Sequence, residues 1–167
     1  DEPPPAPADA DDGSVRDPDA VVVEQLVDDA EFVAVPPLMR PDQAERRYDE
    51  AVAVAVEKCA ADTAGQTCYI CYGEGDEEEG LVRMCACRGA AGFVHISCLA
   101  RQAEVTVERV GQGRGWQRWH KCGLCEQEYH GVVSCALGWA CWKTYLGRPE
   151  TDWARRDALK YLGNGLG

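Results

Sequence analysis

Eight metal-type side chains occupy one stretch of the chain, in the order Cys68-x2-Cys71-x13-Cys85-x-Cys87-x7-His95-x2-Cys98-x23-Cys122-x2-Cys125. They fall into four short-range pairs. Thiolate and imidazole are the ligands of structural zinc, which takes four of them in a tetrahedron, so eight ligands make two closed sites. Two ligands two residues apart grip an ion from a tight turn, and a second pair closes the cage. Binding energy on the order of 10 kcal/mol per site then acts as folding energy. A lone Cys-x2-Cys is also a redox motif, but a thioredoxin-like reading leaves the other pairs without a role. A Cys/His nucleophile pair leaves six further ligands unexplained. Metal is the reading that uses all eight.

The chain has ten cysteines: seven lie in the pattern, and Cys59, Cys135 and Cys141 lie outside it. Disulfides are the competing explanation for such a count. The short pair spacing and the lack of a basic-then-apolar leader favour metal. His120 and His130 flank the last pair and are read as non-ligands.

Charge divides the chain. Residues 1–66 carry 17 acidic and five basic side chains, which accounts for the whole formal net charge of −12. The cysteine-rich part is balanced, and an acidic chain repels phosphate backbones, so no nucleic-acid partner is expected. The loop from Gly111 to Trp119 mixes Arg114 and Arg118 with Trp116 and Trp119. It reads as a solvated loop of the finger rather than a base-stacking patch. The longest apolar stretch, Val132–Trp142, is too short for a bilayer span, which needs about 20 residues. The chain starts at Asp1 rather than Met and reads as a piece of a longer protein.

Four segments are expected. Residues 1–40 form an acidic, Pro-rich tail with too little apolar surface to offset ordering entropy, hence disorder. Its apolar runs Ala20–Val23 and Phe32–Val35 read as docking patches for the finger, with a partner-binding peptide as the alternative. Residues 41–65 form a flanking helix with Pro41 in the first turn and Tyr48, Val52, Val56 and Cys59 on one face. The alternation across Ala51–Val56 offers a strand instead. Residues 66–130 are the finger. Residues 131–167 are helical, with Val132, Val133, Ala136, Leu137, Ala140, Cys141 and Tyr145 spaced for an amphipathic helix, and a second helix from Asp152.

The block Cys87-Arg88-Gly89…Phe93-Val94-His95-x2-Cys98-Leu99 resembles a RING-CH finger, the RING variant of certain ubiquitin ligases. Plant homeodomain fingers share seven Cys and one His in this order. The single residue between Cys85 and Cys87, and the seven before His95, resemble the RING variant. The resemblance implies a small α+β cross-brace fold holding two structural Zn2+ ions. Cys68, Cys71, His95 and Cys98 would hold the first, and Cys85, Cys87, Cys122 and Cys125 the second. With four protein ligands each, neither site has an open position for catalysis.

What the family does is implied in the same way: the finger binds a ubiquitin-conjugating enzyme and positions ubiquitin for transfer to a lysine of a protein substrate. No catalytic side chain or covalent intermediate on the ligase is involved, and orientation supplies the rate. Ile70, Gln102 and Leu124 are the implied partner contacts, Ile70 having the alternative of a turn residue packed on its own finger. The sequence departs from the pattern in three places. Gln102 stands where the family often has Trp, Gly123 where many RING fingers have Pro, and Glu126 where active ones often have a basic residue. Trp116 or Trp119 could replace the missing aromatic contact or pack on the finger. These departures point to the alternative of a non-catalytic interaction scaffold; a homeodomain-type finger reading histone tails is the further one. A reducing intracellular compartment, cytoplasmic or nuclear, is expected. Leu159-x2-Leu162-Gly163-x2-Leu166 resembles the first helix of a tetratricopeptide repeat, which implies a repeat array beyond Gly167, with a helix packed on the finger as the alternative.

Overall fold

The computed structural model describes residues 39–76 and 79–165. The expected disordered tail, with its two apolar runs, lies outside the described residues apart from Met39 and Arg40. Helix α1 spans Pro41–Thr63. Proline is tolerated there because a first-turn amide has no helical acceptor, and the Gln43 side chain reaches back to accept the Arg40 N–H at 3.1 Å. Ala44, Ala55 and Cys59 are buried, with Tyr48, Ala51, Val52 and Val56 packed beside them. Ala53 and Val54 are both exposed. An alternating strand would bury one of that pair, so the 3.6-residue period wins over the period of two.

The finger contributes the small sheet. Strands β1 (Leu81–Arg83) and β2 (Phe93–His95) pair antiparallel, with Val82 opposite Val94 and Leu81 opposite His95. A 3-10 turn at Gly89–Gly92 joins them to form the strap between the ligand pairs. Helix α2 (Ile96–Val110) follows β2 without a break and buries Ile96, Leu99, Ala103 and Val107, one helical stripe. Gly111 ends it with φ of 78°, a conformation that costs glycine little. A second 3-10 turn, Trp116–Trp119, leads to the last ligand pair.

Helix α3 (Gly131–Tyr145) departs from the amphipathic expectation. Beyond the predicted face it also buries Gly138, Trp139 and Trp142. A helix apolar all round is a central one, and α3 packs against α1, α2 and α4. Cys141 lies fully buried, which pushes its thiol well up, and Cys135 is half-buried. Helix α4 (Trp153–Gly165) is capped by Asp152, whose Oδ1 accepts the Ala154 N–H at 2.8 Å. Its Leu162 and Ala158 are buried in the core with α3. The repeat-like Leu159 and Leu162 thus lie on a helix that packs within this unit, and Leu166 is outside the described residues. Among the described residues, no helix is long and apolar enough to cross a membrane.

The result is a mixed α+β finger continuous with its helices. One core joins Ala55 and Cys59 of α1, Leu81, Val82 and Val94 of the sheet, and Val133, Ala136 and Leu137 of α3. A second gathers α2, α3, α4 and Trp119. Of the two alternatives the sequence leaves for Trp116 and Trp119, the structure shows the inward one. Trp119 is fully buried, and Trp116 lies 5.4 Å from the Tyr145 ring and 5.5 Å from Trp153. Their rings gain more from burial against aromatics than from exposure on a Gly-rich loop.

A close approach joins α1 to the residue before β1. A Cβ built at Gly80 would run into the Val56 side chain, and a helical valine has one strongly preferred rotamer in which to escape. Gly80→Ala is therefore expected to destabilise by about 1–3 kcal/mol, and Val56→Ala in the same chain to recover part of the loss. Chemical denaturation checks this, and a Gly80→Ala protein as stable as the parent would reject the close approach.

Candidate metal centres and the finger surface

Two knuckles of matching construction carry the outer cysteine pairs. Each is framed by an isolated antiparallel bridge, Thr67 with Glu74 around the first and Lys121 with Glu128 around the second. In the first, Cys68 N–H donates to the Gly73 carbonyl at 2.8 Å and Tyr72 N–H to the Cys68 carbonyl at 2.8 Å. In the second, Cys122 N–H donates to the Gln127 carbonyl at 2.8 Å and Glu126 N–H to the Cys122 carbonyl at 3.1 Å. The amides of Ile70 and Leu124 point at the sulfurs of Cys68 and Cys122, each at 3.4 Å. Such donors favour sulfur as thiolate. The residue after each pair, Tyr72 and Glu126, takes a left-handed backbone with φ of 63° and 59°. This reversal turns both sulfurs of a pair to the same side.

The inner pairs come from the strap. Cys85 and Cys87 follow β1, and the Cys87 amide lies 3.4 Å from the Cys85 sulfur. His95 ends β2, and Cys98 lies in the first turn of α2. The fold brings Cys68, Cys71, His95 and Cys98 into one quartet and Cys85, Cys87, Cys122 and Cys125 into another, the ligand atoms of each lying within 4.8 Å of one another. The grouping is the interleaved one that the RING-CH resemblance implies. His120 and His130 belong to neither quartet.

Distances within the quartets test the fit to a metal. A tetrahedral ion with Zn–S near 2.3 Å and Zn–N near 2.0–2.1 Å separates two sulfurs by about 3.8 Å, and sulfur from nitrogen by about 3.6 Å. The Cys85 and Cys87 sulfurs lie 3.5 and 3.8 Å from Cys122 Sγ. His95 Nδ1 lies 3.3 Å from Cys71 Sγ and 3.8 Å from Cys98 Sγ. These spacings are well beyond a disulfide bond of about 2.05 Å, and all ten cysteines are free. Both donor sets fit one ion each.

The histidine shows which nitrogen serves. Its Nε2 lies 3.2 Å from the Glu74 carbonyl oxygen, which can only accept. Nε2 therefore carries the proton, and Nδ1 turns its lone pair toward the sulfurs. A ligating imidazole anchored through its other N–H is the usual second shell of a metal site. Sequence spacing identified His95 but could not choose its nitrogen, because Glu74 lies 21 residues away.

The thiols within each quartet are unequal. Burial pushes Cys68 up, but backbone amides from Cys71, His95 and Ile70 outweigh it and bring the thiol down to about 7. Burial, with the neighbouring Cys71 and Cys68 sulfurs, pushes Cys98 up to about 12. In the second quartet the Gln127 amide draws Cys125 down, while burial pushes Cys85 and Cys87 up. A divalent cation would hold the thiols of a quartet ionised together by displacing their protons.

The implied partner residues sit around these knuckles. Leu124 is 57% exposed at the second, and Ile70 is half-buried at the equivalent place on the first. Tyr72, which spacing did not single out, is 80% exposed. Gln102 is half-buried on α2, its Oε1 accepting the Tyr69 hydroxyl at 3.3 Å. Glu126 is paired: Arg118 Nη2 lies 2.9 Å from its carboxylate while Arg118 Nη1 donates to the Cys122 carbonyl at 3.0 Å. Elemental analysis of the purified protein is expected to give two divalent metal ions per chain, and His95→Ala about one. A single ion in the parent protein, or two retained by His95→Ala, would contradict the two-quartet assignment.

Comparison with known proteins agrees with this geometry. The RING-variant domain matches residues 68–125, from the first ligand to the last. Over 62 residues the sequence is 56% identical to the human E3 ubiquitin-protein ligase MARCHF1, a stretch that is 37% of this chain and 18% of that one. No solved structure matches. The eight ligands, their two interleaved quartets and the matched span together make residues 68–125 a RING-variant domain.

Proposed function

We propose that this domain is a ubiquitin ligase module that binds a ubiquitin-conjugating enzyme and positions ubiquitin for transfer to a substrate lysine. The reading rests on the 56% identity to a protein named as an E3 ubiquitin ligase. Two zinc ions are the natural occupants of quartets with three or four thiolates each, and they would hold the fold without entering the chemistry. Cys68, Cys71, His95 and Cys98 would hold one, and Cys85, Cys87, Cys122 and Cys125 the other. Ile70 and Leu124, set at equivalent places on two rigid knuckles, would form the apolar contact for the conjugating enzyme. Catalysis would then be orientation, with the rate gained by restricting the ubiquitin thioester. Thiolate-rich sites of this kind suit a reducing intracellular compartment, cytoplasmic or nuclear.

The scaffold reading has its own support. Glu126 and Arg118 neutralise each other at the second knuckle, and the Gln102 amide is engaged by Tyr69. A finger that binds partners without promoting transfer would show the same features. Ubiquitination assays with a panel of conjugating enzymes separate the two. Ubiquitin chains are expected with at least one enzyme, and Ile70→Ala should lower their formation by tenfold or more while the metal count stays at two. A folded, metal-loaded protein that forms no chains with any enzyme of the panel would leave the scaffold reading standing.

A further inference from the structure

Helix α2 begins inside the first quartet, and its start has an unusual difficulty. The N-cap residue is His95, which makes no side-chain capping bond. Its imidazole is committed at both nitrogens, Nδ1 toward Cys71 and Cys98 and Nε2 to the Glu74 carbonyl. A helix start without a cap leaves amide donors unsatisfied. One of these, the Ser97 N–H, lies in the short turn between the two ligands His95 and Cys98. It is met by the Glu79 carboxylate at 3.3 Å, from 18 residues upstream.

Glu79 is well placed for this task. Its backbone N–H donates to the Asp76 carboxylate at 2.8 Å, and its carbonyl accepts the Asp76 N–H at 3.2 Å. The next residue, Gly80, is held close against Val56 of α1. A carboxylate at a helix N-terminus also meets the positive end of the helix dipole. Glu74 and Glu79 thus grip the His95–Cys98 turn from two sides, one through a carbonyl and one through a carboxylate.

We propose that Glu79 is a positioning residue of the first metal site: it supplies the cap that His95 cannot, and so holds the turn from which His95 and Cys98 present their ligand atoms. Among the described residues, Glu79 makes no hydrogen bond to the second quartet, which is built from four cysteines. This rests on metal binding at the first quartet and is independent of ligase activity.

The two sites can be followed separately with Co2+, since a three-sulfur, one-nitrogen tetrahedron and a four-sulfur tetrahedron differ in absorption. In the Co2+-loaded protein, Glu79→Ala is expected to speed loss of metal to a chelator from the first site roughly fivefold, the factor given by one lost cap of ordinary strength. The second site should keep its rate. Glu79→Gln, which retains the acceptor oxygen, should stay within about twofold of the parent, and so reports on the cap even if the alanine variant folds poorly. Equal acceleration at both sites would assign Glu79 to general stability and overturn the proposal. So would an unchanged rate at the first site, or a Gln variant as fast as the Ala one. A parent protein that takes up no Co2+ would defeat the metal reading itself.

Discussion

Two of the seven cysteines in the quartets, Cys68 and Cys122, are wholly buried. Thiol-bearing knuckles at such depth constrain everything around them, because each sulfur must face its three partners while its backbone keeps its hydrogen bonds. The chain answers with the same device twice: a bridge, a reversed residue at Tyr72 or Glu126, and an amide aimed at the buried sulfur. The quartets then tie the chain in an interleaved order, so the strap at 85–98 belongs to both. Neither half of the finger can be assembled without the other.

Around this frame the helices do more than flank. The sheet of three-residue strands has too little surface to make a core by itself. Val82 and Val94 instead complete a core with α1 and α3. Helix α3 lies at the centre, and ion pairing at its edge is secondary: Lys143 meets Glu45 at 2.7 Å and lies over the Tyr48 ring, in a partly exposed place where such a pair is worth little. Burial, together with Glu79, Asp49 and Glu45, pushes the Tyr48 hydroxyl up to about 12, which keeps it neutral where α1 meets the finger.

The ligands were legible in sequence because metal chemistry selects residue types at short, fixed intervals. All eight were identifiable from spacing, whereas their grouping into quartets needed the resemblance to a known finger. The nitrogen of His95 that faces the sulfurs and the Glu79 contact to the Ser97 amide were not legible, since each depends on a distant loop. Strands β1 and β2 are too short for a period of two to show. Helix α3 looked amphipathic because its sequence does not reveal how many neighbours surround it. Trp116 and Trp119 were ambiguous for a related reason: a Gly-rich loop suggests exposure, but the destination of its large side chains is a tertiary matter. In α1 the alternating Ala51–Val56 run was a real ambiguity, decided by the helical burial of Ala55 and Cys59.

The turn at 116–119 joins the cysteine-rich finger to the helices. Arg118 turns its guanidinium onto the Cys122 carbonyl, while its neighbour Trp119 inserts its indole among the helices and its carbonyl accepts the Tyr161 hydroxyl at 2.8 Å. Successive residues therefore face opposite ways, one to the second knuckle and one to α3 and α4. No slack chain separates the two. In mechanical terms, a displacement of α4 would have a short hydrogen-bonded route to the backbone that carries Cys122, through the Trp119 carbonyl, the 118–119 peptide and the Arg118 side chain.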